Sequence, residues 1–243
     1  MRYAAAALAS VLVAGCAGTS EGTSEEGADT TTTAAAAPEP VEELLEEVER
    51  TRPGVVLRDF VRAAARGDAR RMWERLSAPT QERLGPTLGA FRSGAAPALE
   101  RELEALGRRH ELILSQTITS RFAVAAVGRD NRAYAAALRL ENGLWRVELG
   151  SPVHVEPLRP EPGERVLRRT QLAAEVEAGT PIVEAGLWLD GVAFPSRGGG
   201  QTPSELTMFG ETATLARGWH SVVGFASTAT NASARAWAFR AVR

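Results

Sequence analysis

The sequence predicts an α+β half followed by an all-β half, and three observations predict it. Apolar residues recur at helical spacing from Pro53 to Leu106, the period changes to two after Arg109, and short strand patterns separated by turn residues fill the chain beyond Glu164. The 44% hydrophobic content and 24% charge lie in the ordinary globular range, so much of the 243-residue chain can bury a core.

The first helix is read from Val56, Phe60 and Ala64, four apart, with Leu57 and Val61 widening the stripe and Gly67 ending it. Asp68 caps a second helix carrying Met72, Trp73 and Leu76, and Ser77-Ala78-Pro79 is a further stop and start. Leu99, Leu103 and Leu106 mark another helix before Gly107.

Beyond Arg109, Leu112, Leu114 and Gln116 alternate with Ile113, Ser115 and Thr117. Turn signals at Asp130-Asn131 and Asn142-Gly143 predict hairpins, the second leading into Leu144-Trp145-Arg146-Val147. Pro152, Pro157, Pro160, Pro162 and Gly163 predict an irregular linker over 151–163. Strands are then expected over 172–177, 186–194 broken by Asp190-Gly191, 206–215, 219–227 and 235–242. In the last of these, Trp237, Phe239 and Ala241 alternate with Ala236, Ala238 and Arg240.

The amino terminus suggests a compartment. Arg2 precedes an apolar run from Ala4 to Gly15, too short to cross roughly 30 Å of hydrocarbon as a helix and suited to a signal peptide over 1–15. The run ends at Cys16, the only cysteine. Val13-Ala14-Gly15-Cys16 resembles the bacterial lipobox, which implies lipidation of Cys16 and a membrane-anchored, extracytoplasmic protein. An ordinary signal peptide with an incidental cysteine is the alternative.

Residues 17–50 carry ten acids against Arg50 alone and few large apolar side chains, so 16–52 reads as an acidic, disordered tether. Val41, Leu44, Leu45 and Val48 sketch a short helix stopped by Arg52-Pro53, either docked on the first domain or marginal within the tether.

Two further resemblances are carried by specific stretches. The Ala-rich run Phe60 to Leu76 with Gly67-Asp68 and Trp73, a Pro-containing turn and the Leu144-Trp145-Arg146-Val147 strand are similar to NTF2-like domains. That implies a curled sheet wrapped by helices over 53–150, with a cone cavity that Trp73, Tyr134 and Arg121 are candidates to line. Leu215 to Val223 with its Gly218-Trp219-His220 turn, Asn231 and Ala236-Trp237-Ala238-Phe239 resemble bacterial Ig-like domains. That implies a β-sandwich over 164–243, with His220 capping a strand through a backbone hydrogen bond. Trp188, Trp237 and Phe239 would pack where antibody domains place a disulfide.

Chemistry-bearing motifs are sparse. All 28 basic residues are Arg, so Schiff-base and Walker-lysine mechanisms are excluded, and the Arg bias fits a GC-rich genome better than a nucleic-acid partner. His110, His154 and His220 lack metal-ligand spacing. No Gly-x-Ser-x-Gly elbow and no second cysteine supply a nucleophile. Gly198-Gly199-Gly200 lacks the lysine and following helix of a phosphate loop and reads as a flexible hairpin loop. Asp68 reads as a cap and Asp130 as a turn residue, leaving Asp59 as the remaining aspartate for an NTF2-like acid.

No catalytic residue, metal or cofactor is expected. The expected role is a non-enzymatic binding or scaffold protein of the envelope, with an envelope protein or glycan as partner. A small-molecule carrier or sensor using the cone cavity is the alternative, and an isomerase or hydrolase a more distant one.

Overall fold

Helices come first because Pro53 opens α1 (Pro53–Ala64) with a fixed φ and no missing bond, and because side-chain caps start the next turns. Asp68 accepts from the Arg71 amide at the start of α2 (Ala69–Arg75), and Ser77 from the Thr80 amide at α3 (Ala78–Leu84). Thr87 caps α4 (Leu88–Ser93), a helix the periodicity did not reveal, and α5 (Ala96–Glu104) follows. This computed structural model describes residues 52–106, 110–200 and 202–242. The expected signal peptide, Cys16 and the acidic tether lie outside the described residues, as do Gly107 and Arg109. Among the described residues, no helix is long and apolar enough to cross a membrane.

Strands β1 (Glu111–Thr117), β2 (Phe122–Arg129), β3 (Arg132–Glu141) and β4 (Leu144–Glu148) form an antiparallel meander in sequence order. The Asn142-Gly143 turn has positive φ at both residues, as a tight hairpin demands. The expected alternation in β1 breaks at a bulge between Leu112 and Leu114, which leaves Leu112 exposed and Leu114 buried.

The proline-rich stretch is not an irregular linker. Residues Val153–Arg159 form β5, which pairs with β7 (Gln171–Ala178), and the register slips between Pro157 and Arg159. Proline is tolerated there because β5 is an edge strand with a bulge, where a missing N–H breaks no ladder bond.

Two sheets follow. The outer one has the order β10-β11-β7-β5, adding β10 (Arg197–Gly199) and β11 (Glu205–Glu211). Gly198 and Gly199 are therefore paired strand residues, opposite Met208 and Thr207, rather than a loop. The middle sheet has the order β6-β13-β12-β8-β9, from β6 (Arg165–Val166), β8 (Ile182–Leu189), β9 (Val192–Phe194), β12 (Gly218–Thr228) and β13 (Ala232–Ala241).

Three cores join these layers. Phe60, Met72, Phe91 and Leu103 pack with Ala123, Ala125 and Leu138 between the helices and the meander. Val155, Leu172, Val222, Trp237 and Phe239 fill the space between the middle and outer sheets. The third core lies between the meander and the middle sheet and contains Phe122, Val124, Ala126 and Ala137 against Trp188, Val223, Phe225 and Ala232. Strand β2 is thus buried on both faces, by helices on one side and the middle sheet on the other. Its small residues suit that position.

Trp188 therefore does not join Trp237 and Phe239. It faces the third core, where its Nε1 donates to Gln116 Oε1 at 2.9 Å. Gly191, at φ +79°, brings the β8–β9 turn onto β1 so closely that a Cβ would sit 2.2 Å from the Ile113 oxygen.

Candidate binding site at the seam of the two halves

The space expected as a cone cavity is filled: Phe60, Phe91 and Leu103 are fully buried between helices and sheet. The three residues expected to line it point to three places. Trp73 is half-buried, donates from Nε1 to the Gly85 oxygen at 3.1 Å, and lines an open cleft of about 710 Å³ outside the core. Arg121 lies in the β1–β2 turn, exposed, and donates to the Ala229 oxygen at 3.2 Å. Tyr134 lines a groove of about 600 Å³ elsewhere.

That groove draws its walls from both halves. Leu99 and Glu102 of α5 and Tyr134 of β3 form one side, and His154 and Glu156 of β5 with Arg235 of β13 form the other. Burial, assisted by the charge of Glu102, pushes the Tyr134 phenol well above its ordinary value, so it stays a neutral hydroxyl at any physiological pH. The wall is apolar at Leu84 and Leu99 and polar at its rim, the composition of a ligand groove.

Below one end of the groove lies a buried ion cluster that pairwise sequence reading missed. The Glu148 carboxylate is fully buried and accepts from Arg139 at 2.8 and 3.1 Å, Ser77 at 2.7 Å and Arg83 at 3.0 Å. Burial pushes its pKa up, but the hydrogen bonds from Arg139 and Ser77, the Arg139 charge and the Arg83 bond outweigh that and hold it below the usual range. Glu148 is thus held ionised, which suits an anchor and not a proton donor. Arg139 also donates to the Thr230 oxygen at 2.6 Å, tying the meander to the β12–β13 turn. The one signal in the sequence is a carboxylate at a position flanked by Val147 and Leu149.

Asp59, the remaining aspartate for an NTF2-like acid, accepts from Arg71 and Arg75 at the surface of the helical layer. His220 does bond to backbone as the resemblance implied: Nε2 is 2.9 Å from the Ala216 oxygen, and Nδ1 is 2.6 Å from Asp190 Oδ2. Asp190 Oδ1 accepts from the Ser221 amide at 2.8 Å, so this pair closes the β8–β9 turn onto β12. Among the described residues, no group of three or more His, Cys, Asp or Glu side chains could hold a metal ion.

No protein-family model matches the chain, and no curated protein matches it in sequence. Solved structures with partial likeness include two that each match under two fifths of this chain. One is an endo-β-1,4-mannanase from Thermotoga petrophila, 10% identical with a TM-score of 0.33, over 37% of this chain and 20% of that one. The other is the M4 domain of titin, 13% identical with a TM-score of 0.27, over 38% of this chain and 95% of that one. Likeness at these scores carries no argument about fold or activity.

Proposed function

We propose that this chain is a lipid-anchored, extracytoplasmic binding or scaffold protein of a bacterial envelope, built from an NTF2-like half and an Ig-like half. The observation that carries the binding role is the 600 Å³ groove walled by both halves. Its rim groups Glu102, Glu156 and Arg235 make no ion pair among the described residues, and an envelope protein or glycan would satisfy them. The anchor rests on the Val13-Ala14-Gly15-Cys16 motif. The helices followed by the β1–β4 meander support the NTF2-like reading, and the two facing sheets support the Ig-like one. The carrier reading moves from the filled cone to this groove.

Two experiments test the proposal. Cys16→Ser should shift the protein from the membrane to the soluble fraction, and a mutant still sedimenting with membranes removes the anchor. Leu99→Arg should abolish recovery of the wild-type partner or glycan from solubilised membranes, and identical recovery by both proteins removes the groove.

A further inference from the structure

The end of the middle sheet where β6, the start of β12 and the end of β13 meet carries a cluster of arginines. Arg165, Arg217 and Arg240 line a cleft of about 530 Å³ together with Gly218, Ala241 and Val242, and among the described residues no carboxylate side chain lines it. None of the three guanidiniums makes an ion pair or side-chain hydrogen bond among the described residues. The nearby Glu164 accepts the Glu161 amide at 2.8 Å through one carboxylate oxygen and makes no ion pair with an arginine among the described residues.

Strand register sharpens this. Arg240 pairs with Arg165 on one side and with Trp219 on the other, so the three stand in one row across β6, β13 and β12. Directly opposed like charges destabilise a sheet, and among the described residues no acidic side chain lines the cleft beside this pair. Beside the row, Leu167 is 67% exposed and Trp219 is 38% exposed. Unpaired arginines bordered by an exposed Trp and an exposed Leu match the interface of a bilayer, where phosphates meet guanidinium and the indole lies at headgroup depth.

We infer that this end of the protein docks on anionic lipid headgroups, with Arg165, Arg217 and Arg240 on their phosphates and Trp219 and Leu167 at the acyl boundary. The inference rests on the reading of the chain as a membrane-associated envelope protein. It adds the face that body would turn to the bilayer.

The test uses the full chain carrying Cys16→Ser, so that no lipid anchors it. Sedimentation is measured with vesicles of phosphatidylcholine alone and of equal parts phosphatidylcholine and phosphatidylglycerol. Binding should be stronger on the anionic vesicles. The double variant Arg165→Gln, Arg240→Gln should lose about fivefold per arginine there, while Arg165→Lys, Arg240→Lys keeps most of the binding. Trp219→Ser should weaken binding to the anionic vesicles as well. Equal partitioning of the wild type and the Gln double variant on anionic vesicles overturns the inference. So does displacement from them by glycerol phosphate at constant ionic strength, which makes the cleft a site for soluble phosphate. Either result leaves the anchor standing if the unmutated chain still fractionates with membranes.

Discussion

The seam between the two halves and the far end of the middle sheet treat the same residue types in opposite ways. At the seam, Arg139 and Arg83 are matched to Glu148, Arg121 and Arg139 bind carbonyls across the junction, and Trp188 donates to Gln116. At the far end, Arg165, Arg217 and Arg240 line a cleft that no acidic side chain of the described residues lines, and Trp219 is 38% exposed. Polar groups paired within the protein hold structure together, whereas exposed arginines without a protein partner among the described residues are available to a ligand. The difference predicts that seam substitutions cost stability and far-end substitutions cost binding.

The largest effect belongs to the seam core. Phe225→Ala removes a fully buried ring between the meander and the middle sheet and should destabilise by about 3–5 kcal/mol, read from urea unfolding. A cost under about 1 kcal/mol would mean that the third core contributes little.

Glu148→Gln comes next. It leaves Arg139, with only 13% of its side chain exposed, facing a neutral amide, and Arg83, a third exposed, follows it. Removing one member of a buried pair costs about 3–5 kcal/mol, and partial exposure of both arginines lowers the expectation to about 2–4 kcal/mol. The pH dependence has a definite sign. The folded pKa of Glu148 is depressed, so its stabilisation is present above the unfolded value of about 4.3 and is lost as pH falls through the folded value. The wild type should therefore lose more stability than Glu148→Gln on acidification below that point, measured by urea midpoints across the acid range.

Much of this architecture was legible in the sequence. Asp68 and Ser77 announced helix starts by a side chain that satisfies free amides, and Asn142-Gly143 and Asp190-Gly191 announced hairpins by their tolerance of positive φ. Strand β5 was hidden because prolines are read as breakers, and only tertiary context shows that Val153–Arg159 is a bulged edge. Helix α4 was hidden because six residues containing Gly89 and Ser93 carry no period. The candidate site was the least legible part. Trp73, Tyr134 and Arg121 each looked suited to a cavity, but which face each occupies depends on layers that only the folded chain defines. Likewise the double-sided burial of β2 reads in sequence as a run of small apolar residues, without naming the sheet that covers its second face.

Smaller effects sharpen the contrast. Gly191→Ala places a side chain against the Ile113 oxygen in a left-handed conformation, so backbone strain and a contact that only backbone movement relieves should together destabilise by about 2–3 kcal/mol, read from thermal unfolding. At the far end, Arg165→Gln and Arg240→Gln should each change stability by no more than about 0.5 kcal/mol, because neither side chain makes an ion pair or hydrogen bond among the described residues. A larger loss there would make that end part of the scaffold.

The third core, packed from both halves, makes them one cooperative body. Urea unfolding followed by tryptophan fluorescence in two variants, one keeping only Trp145 of the helical half and one keeping only Trp237 of the sandwich, tests this directly. Coincident single transitions are predicted. Two separated midpoints, with one half folded while the other is open, would contradict the shared core.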